Sequence, residues 1–422
     1  MRSLLVDLVL LATIAVPALG VAFGAPSMAA GVALVCGLYI ALLVMKLGAT
    51  PGTFSSIPGA PFALGATIVA AVVVQSLAAL VVTPGADLER SAMTQAFLLL
   101  FVSGAAACSV FITRLNPSRD DRIIKTAFWA LVTCGVAGVL GVSPFFDRST
   151  YSKSVVVFSE PSHFALDFLP FLAYALVQAK RLAARLALLG GALALAYLLQ
   201  NATFVVGLAL VSLLVIRWRY VPLLAAVAAI WIALAPEEIP DLDYYTERVN
   251  PTAVNASTLI YQDGWERAYR NTVETWGFGV GFQQFGIVGD GEGRFGRELT
   301  DAGFENFNLK DGSTVGSKLV AEFGVVGILL IGAFVARGLR VAMWLRRIAS
   351  GTASAERAFE VFFACSFVMF AVDLFIRGTG YFNSTAFLFV ASVMSSKRLR
   401  RGTRLVWGRS RADERKGHEV RC

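Results

Sequence analysis

Histidine is nearly missing from this chain of 422 residues: His163 and His418 are the only two. The five cysteines are scattered, and none has a partner at metal-ligand spacing. A centre built from clustered His and Cys is therefore not expected. Cys36, Cys108, Cys134 and Cys365 lie inside apolar runs and read as small buried hydrophobes, while Cys422 ends the chain. Charge is scarce as well, at 16% of residues against 56% hydrophobic. There is no Walker loop and no serine nucleophile elbow, which argues against an ATP-driven pump and a serine hydrolase. No fixed-period repeat is visible. The net charge of +8 does not signal nucleic acid, because the bases lie between apolar runs and in a terminal tail.

What the chain has is long apolar runs. About 20 apolar residues span a bilayer. Runs of that kind recur near 4–23, 28–47, 61–83, 92–113, 124–142, 162–179, 184–201, 203–216, 221–235, 315–336, 358–376 and 380–396. The fold expected is an all-α polytopic membrane protein of about twelve transmembrane helices, not a β-barrel with its alternating pattern. The start, through Ala18-Leu19-Gly20, resembles a signal peptide, but its apolar run continues to Phe23 and reads as an uncleaved first helix. Bases collect in alternate loops: Lys46; Arg114 to Lys125; Lys180 to Arg185; Arg217 and Arg219; Arg337 to Arg357; and the tail from Lys397. These loops are expected in the cytoplasm, with both termini. The tail is a candidate contact for anionic membrane lipid.

The other side carries one large loop, residues 236–316, between the ninth and tenth runs. It holds fourteen acids against six bases, a net of −8, while the rest of the chain is +16. The expected organisation is a membrane bundle over 1–235, an extracytoplasmic loop over 236–316, further spans over 317–396 and a basic tail over 397–422.

Four stretches offer chemistry. In Ser159-Glu160-Pro161-Ser162-His163, Pro161 suits the first turn of a helix, so Glu160 sits at a positive helix end on the outer membrane face. Over 257–274, Asp263–Arg267, Glu266–Arg270 and Arg270–Glu274 are each four apart. They read either as a salt-bridged solvated helix or as a clamp of two guanidinium groups, Arg267 and Arg270, for phosphate. Trp265 lies in the same stretch. Trp276-Gly277-Phe278-Gly279-Val280-Gly281 permits tight turns, and its aromatics suit sugar rings or loop packing; it does not match a dinucleotide fingerprint. Lys310, Asp311, Lys318 and Glu322 lead into the next span at the same face as Glu160. Arg377 is the lone base of a short outer loop, and either pairs with Asp373, four residues before it, or holds a lipid phosphate. Arg248 is a weaker phosphate candidate.

The topology, with one large outer loop before the tenth span, resembles the O-antigen polymerase and ligase superfamily. Ser159-Glu160-Pro161-Ser162 is similar to a motif of Wzy-type polysaccharide polymerases. Residues 265–281 resemble the loop signature that runs into a Gly-x-Gly turn, and Gly324-Val325-Val326-Gly327 resembles the Gly-x-x-Gly that opens the next span. Ligases carry a loop His a fixed distance before that motif. Here the matching place is Ser313, and the loop has no His, which favours polymerase. The Arg expected shortly after Ser257 is displaced, with Tyr261 and Gln262 near its place and Arg267 as substitute. The resemblance implies a bacterial inner-membrane glycosyltransferase that joins undecaprenyl-diphosphate-linked oligosaccharide repeat units at the periplasmic face, without cofactor or metal. A chain-length regulator is a possible partner. In that reading Glu160 is the base or positions the acceptor, Arg267 and Arg270 hold diphosphate, and His163, Arg248, Trp265, Trp276, Lys310, Asp311, Lys318 and Arg377 contact substrate. The alternatives are a glycan ligase, and a flippase or other secondary transporter. A transporter is expected to carry charge at mid-span; here Asp7, Asp167, Lys318, Glu322 and Asp373 lie near span ends, Asp167 deepest.

Overall fold

The structure is a computed structural model and describes residues 2–48, 58–146, 153–216, 256–288, 293–304, 312–355 and 357–395, the side chains of 2–7 aside. These residues form helices and no strand. In chain order the helices are α1 (Arg2–Ala22), α2 (Ala29–Gly48), α3 (Gly59–Val82), α4 (Leu88–Thr113), α5 (Pro117–Val139), α6 (Pro161–Gln178), α7 (Leu182–Leu198) and α8 (Ala202–Val215). Then come α9 (Ala256–Glu274), α10 (Arg294–Asp301), α11 (Val315–Ala349), α12 (Ala358–Phe375) and α13 (Ser384–Ser395). Eleven of the twelve expected spans coincide with helices; the twelfth, 221–235, lies outside the described residues. Six helices, α2 to α5, α11 and α12, are long and apolar enough to cross a membrane. Residues 8–22 of α1, with α7, α8 and α13, are shorter apolar helices.

The helices begin where the sequence supplies an acceptor for orphan amides. Asp87 accepts from Arg90 N at 2.9 Å and Asn116 from Ser118 N at 3.1 Å. Asn201 accepts from Phe204 N at 3.1 Å, and Thr314 from Ser317 N at 3.0 Å. Small residues let backbones meet. A Cβ on Gly104 would lie 2.5 Å from Cys36 Cβ, so α4 and α2 close up there, and Gly207 gives way to Leu169 between α8 and α6. α6 is the central helix, buried almost throughout from Phe164 to Val177. Phe164 and Phe168 stack on each other at 5.4 Å, and Phe168 on Phe128 of α5 at 5.6 Å.

The loop bases converge at one end of this bundle. Lys46 Nζ donates to Arg114 O at 2.6 Å. Arg357 donates twice to Asp120, each at 2.8 Å, and to the carbonyls of Ile112, Thr113 and Leu115. Arg185 reaches Ala349 O and Arg346 reaches Leu213 O. The expected span at 315–336 is longer than foreseen: α11 runs on to Ala349 at this basic end. Long basic side chains thus cap the last carbonyls of neighbouring helices. The opposite end carries Glu160, the start of α11 and Arg377.

The described part of the large loop lies on α11. Ala268 of α9 packs with Phe285, Val320 and Ala321. α10 is pinned to α9 by Glu266, which accepts from Arg294 N at 2.8 Å and Phe295 N at 2.9 Å. Leu259, Ile260 and Leu299 close the small core between them.

Candidate functional site

α11 is broken about two and a half turns after its start at Val315. Gly324 has φ 55° and ψ −130°, non-helical in the middle of a helix. The break frees backbone groups, and the glycine stretch of the loop takes them. Val280 N donates to Ala321 O and Gly281 N to Glu322 O, both at 3.0 Å; Val325 N donates to Gly277 O at 2.9 Å. Gln75 of α3 adds its amide to Phe278 O at 3.0 Å and Glu322 O at 2.8 Å. The approach needs glycine at both contacts. A Cβ on Gly279 would lie 2.5 Å from the Glu322 carbonyl, and one on Gly324 would strike Gly277 O. The Gly-x-x-Gly at 324–327 therefore does not open the span; it sits inside a helix that begins at Val315, as the break that receives the loop.

Glu160 is the extended residue just before α6, with Pro161 in the first turn. Its Oε2 accepts from Ser162 Oγ at 2.8 Å and from Arg377 Nη2 at 3.2 Å. The carboxylate is half exposed and Arg377 is largely covered. Burial works to raise the carboxyl, but His163, Arg377 and the Ser162 hydroxyl outweigh it and hold Glu160 below the ordinary carboxylate range. His163 Nδ1 lies 3.1 Å from Ser159 Oγ. The pairing of Arg377 with Asp373 is not what forms. Arg377 turns to Glu160, and Asp373 is buried in the bundle with Thr385. α12 ends at Phe375, so Arg377 has already left the helix on which a spacing of four would bring the two together.

The loop before α11 joins this pair to α9. Ser313 O accepts from Gly378 N at 2.8 Å, next to Arg377. A Cβ on Gly264 of α9 would stand 2.9 Å from Ser313 Oγ, and one on Gly316 would stand 3.4 Å from Trp265 Cη2. Gly312 and Ser313 are both left-handed, at φ 69° and 59°, so the turn is strained at a non-glycine residue.

Of the three ion pairs expected on α9, one forms: Arg267 Nε meets Asp263 Oδ2 at 2.7 Å, nearly buried. Glu266 serves α10 instead, and Arg270 forms no ion pair with Glu266 or Glu274. The fully solvated, salt-bridged helix is thus corrected to a helix with its polar face turned inward. Burial raises the Asp263 carboxyl, with Arg267 opposing. On and beside α9, Trp265 Nε1, Arg267 Nη1, Arg270 Nε, Asp263 Oδ1, Asn271 Oδ1 and Ser313 Oγ are buried without a hydrogen-bond partner. Three of the six are N–H donors from Trp and Arg. Buried polar atoms in native proteins are nearly always partnered, so an unpartnered group of this size fits a ligand or water place.

Lys318 and Glu322 are 1% and 0% exposed. Lys318 Nζ donates to Gln283 Oε1 at 3.3 Å and lies 5.3 Å from the Tyr381 ring centre; Glu322 Oε1 accepts from Phe285 N at 3.4 Å. They brace the loop on α11 and are shut away from the exterior. Trp276 is 87% exposed at φ 54°. Arg248, Lys310 and Asp311 lie outside the described residues. Among the described residues no cluster of three or more His, Cys, Asp or Glu could hold a metal ion. Asn271, which is not ionisable, carried no signal in the sequence, and Ser313 stood out there only at the place of an absent His. Comparison with family models, curated proteins and solved structures returned no match for this chain.

Proposed function

We propose that this protein is a membrane glycosyltransferase that polymerises polyprenyl-diphosphate-linked oligosaccharide repeat units. The observation that carries the reading is the one turn at 312–316 that touches both the Glu160–Arg377 side and helix α9, whose Trp265, Arg267 and Arg270 keep unspent donors. Arg is suited to diphosphate because its planar fork donates to two oxygens at once. The acidic loop and basic alternate loops fit a reaction on the extracytoplasmic side of a bacterial inner membrane.

In this reading Arg267 and Arg270 neutralise the diphosphate of the donor, and Arg377 moves to it from Glu160. The acceptor hydroxyl oxygen bonds to the anomeric carbon as the bond from that carbon to the diphosphate oxygen breaks. The hydroxyl proton passes to Glu160, and the lipid diphosphate leaves as an anion. Glu160 is charged at neutral pH and becomes more basic once Arg377 is drawn off, which places the proton transfer after donor binding. Charge on the leaving group is met by preorganised donors, the largest usual contribution in such a site.

A secondary transporter of the same lipid-linked glycan is a second reading, favoured by two acids, Asp167 and Asp373, buried inside the helical bundle. One experiment separates them. Purified protein in vesicles holding only lipid-linked repeat units is expected to produce a ladder of longer chains, lost in Glu160→Gln. No ladder, with movement of substrate across the bilayer, sinks the polymerase.

A further inference from the structure

His163 and Asp167 are four apart on α6, so one helix face leads inward from the end beside Glu160, and Asp167 lies about 10 Å deeper than that end. Asp167 is 4% exposed. α6 packs against α12, on which Asp373 is 1% exposed. The start of α13 closes the group. Thr385 Oγ1 donates to Asp373 Oδ1 at 2.9 Å, and Asn383 Nδ2 lies 3.5 Å away, spent mainly on Thr379 Oγ1 at 2.7 Å. Asn383 Oδ1 accepts from Ala386 N at 2.7 Å and fixes the turn. Ser384 is buried and faces Asp167, yet its hydroxyl has no partner at hydrogen-bond geometry.

Among the described residues no Lys, Arg or His forms an ion pair with either acid. The ionisable groups toward this end of the packed elements have other partners. Glu160 holds Arg377; His163 is set against Ser159. Lys318 faces Gln283 and Tyr381, Glu322 faces Phe285, and Arg90 of α4 donates to Gln283 O. Two uncompensated anions buried inside the helical bundle would cost far more than a fold of marginal stability tolerates. Like carboxylates placed together solve this by sharing one positive charge.

We propose that Asp167 and Asp373 hold one monovalent cation in common, a proton or a sodium ion, in an oxygen-lined site closed by Ser384 and Thr385. The site is buried between α6, α12 and α13, two helical turns from Glu160. It does not rest on the glycosyl-transfer reading, and its test uses no substrate.

The test is infrared spectroscopy of the full chain in lipid discs, with choline as the only added cation, from mildly acidic to alkaline pH. A carbonyl band of a protonated carboxylic acid is expected near neutral pH, absent from Asp167→Asn and Asp373→Asn and retained in Glu322→Gln. Loss of the band with rising pH alone identifies a proton site; its loss on adding sodium at constant pH identifies a sodium site. Thermal unfolding gives the second readout. A proton held more tightly by the folded chain stabilises it at low pH, and that stability is lost as pH rises. Wild type is expected to lose stability on alkalinisation in choline and Asp167→Asn to stay flat. Ser384→Ala keeps both acids and is expected to shift the midpoint of the band. Spectra of Asp167→Asn and Ser384→Ala that superimpose on wild type at every pH and sodium concentration overturn the proposal.

Discussion

At the scale of single residues, the outer face turns on two ion pairs of different kind. Glu160–Arg377 is half open to the outside, and its worth to stability is small. In the proposed function its use is chemical, so Glu160→Gln and Arg377→Ala are both expected to cut polymer yield by about 100-fold or more with the fold intact, measured by ladder formation in vesicles. The pH sign follows from the lowered carboxyl: whatever the pair contributes to stability is present above the ordinary Glu range and lost as pH falls through the lower folded value. Thermal unfolding of wild type and Arg377→Ala should converge on acidification. Asp263–Arg267 is the opposite case, covered and bonded. Arg267→Ala leaves a buried carboxylate without its cation and is expected to cost about 3–5 kcal/mol, whereas replacing both partners by apolar residues should cost less. Equal losses in a chemical-denaturation series would show that Arg267 is not holding that charge.

The element that organises the outer end is the break in α11. A helix that stops hydrogen bonding at Gly324 exposes the carbonyls of Ala321 and Glu322, and residues 277–281 supply the amides that meet them. Gly324→Ala is expected to destabilise by about 1–3 kcal/mol, since it adds a Cβ at positive φ against Gly277 O. The loss should appear first as proteolytic cutting within residues 275–288 while the helical bundle stays protected. Uniform loss of protection would mean that the loop and α11 do not part separately. The motif was visible as glycine spacing. Its meaning was not, because a spacing says that a backbone comes close to something, and the partner here is about 45 residues distant in the chain.

For the whole molecule, the ends of the helices sort by charge. Lys46, Arg114, Arg185, Arg346 and Arg357 meet at one end, and Glu160, Ser313 and Arg377 at the other. In a cysteine-free background, Ser118→Cys and Trp276→Cys are expected to label from opposite sides of a sealed vesicle, both positions being exposed. Labelling from the same side would overturn the two-sided arrangement.

The sequence by itself determined the helices and their alternation. Apolar runs of bilayer length have one low-energy form in lipid, and bases are costly to move across it. It marked Glu160, Arg267 and Arg377 for the same reason that made them scarce. Only the tertiary structure decided their partners. Arg377 takes Glu160 and leaves Asp373, since α12 stops short; Glu266 caps α10; α6 and α12, which carry Asp167 and Asp373, pack together although over 200 residues separate the two acids. A side chain's spacing fixes its neighbours on its own helix, whereas the partner it reaches is set by which faces pack together, and that is a property of the whole bundle.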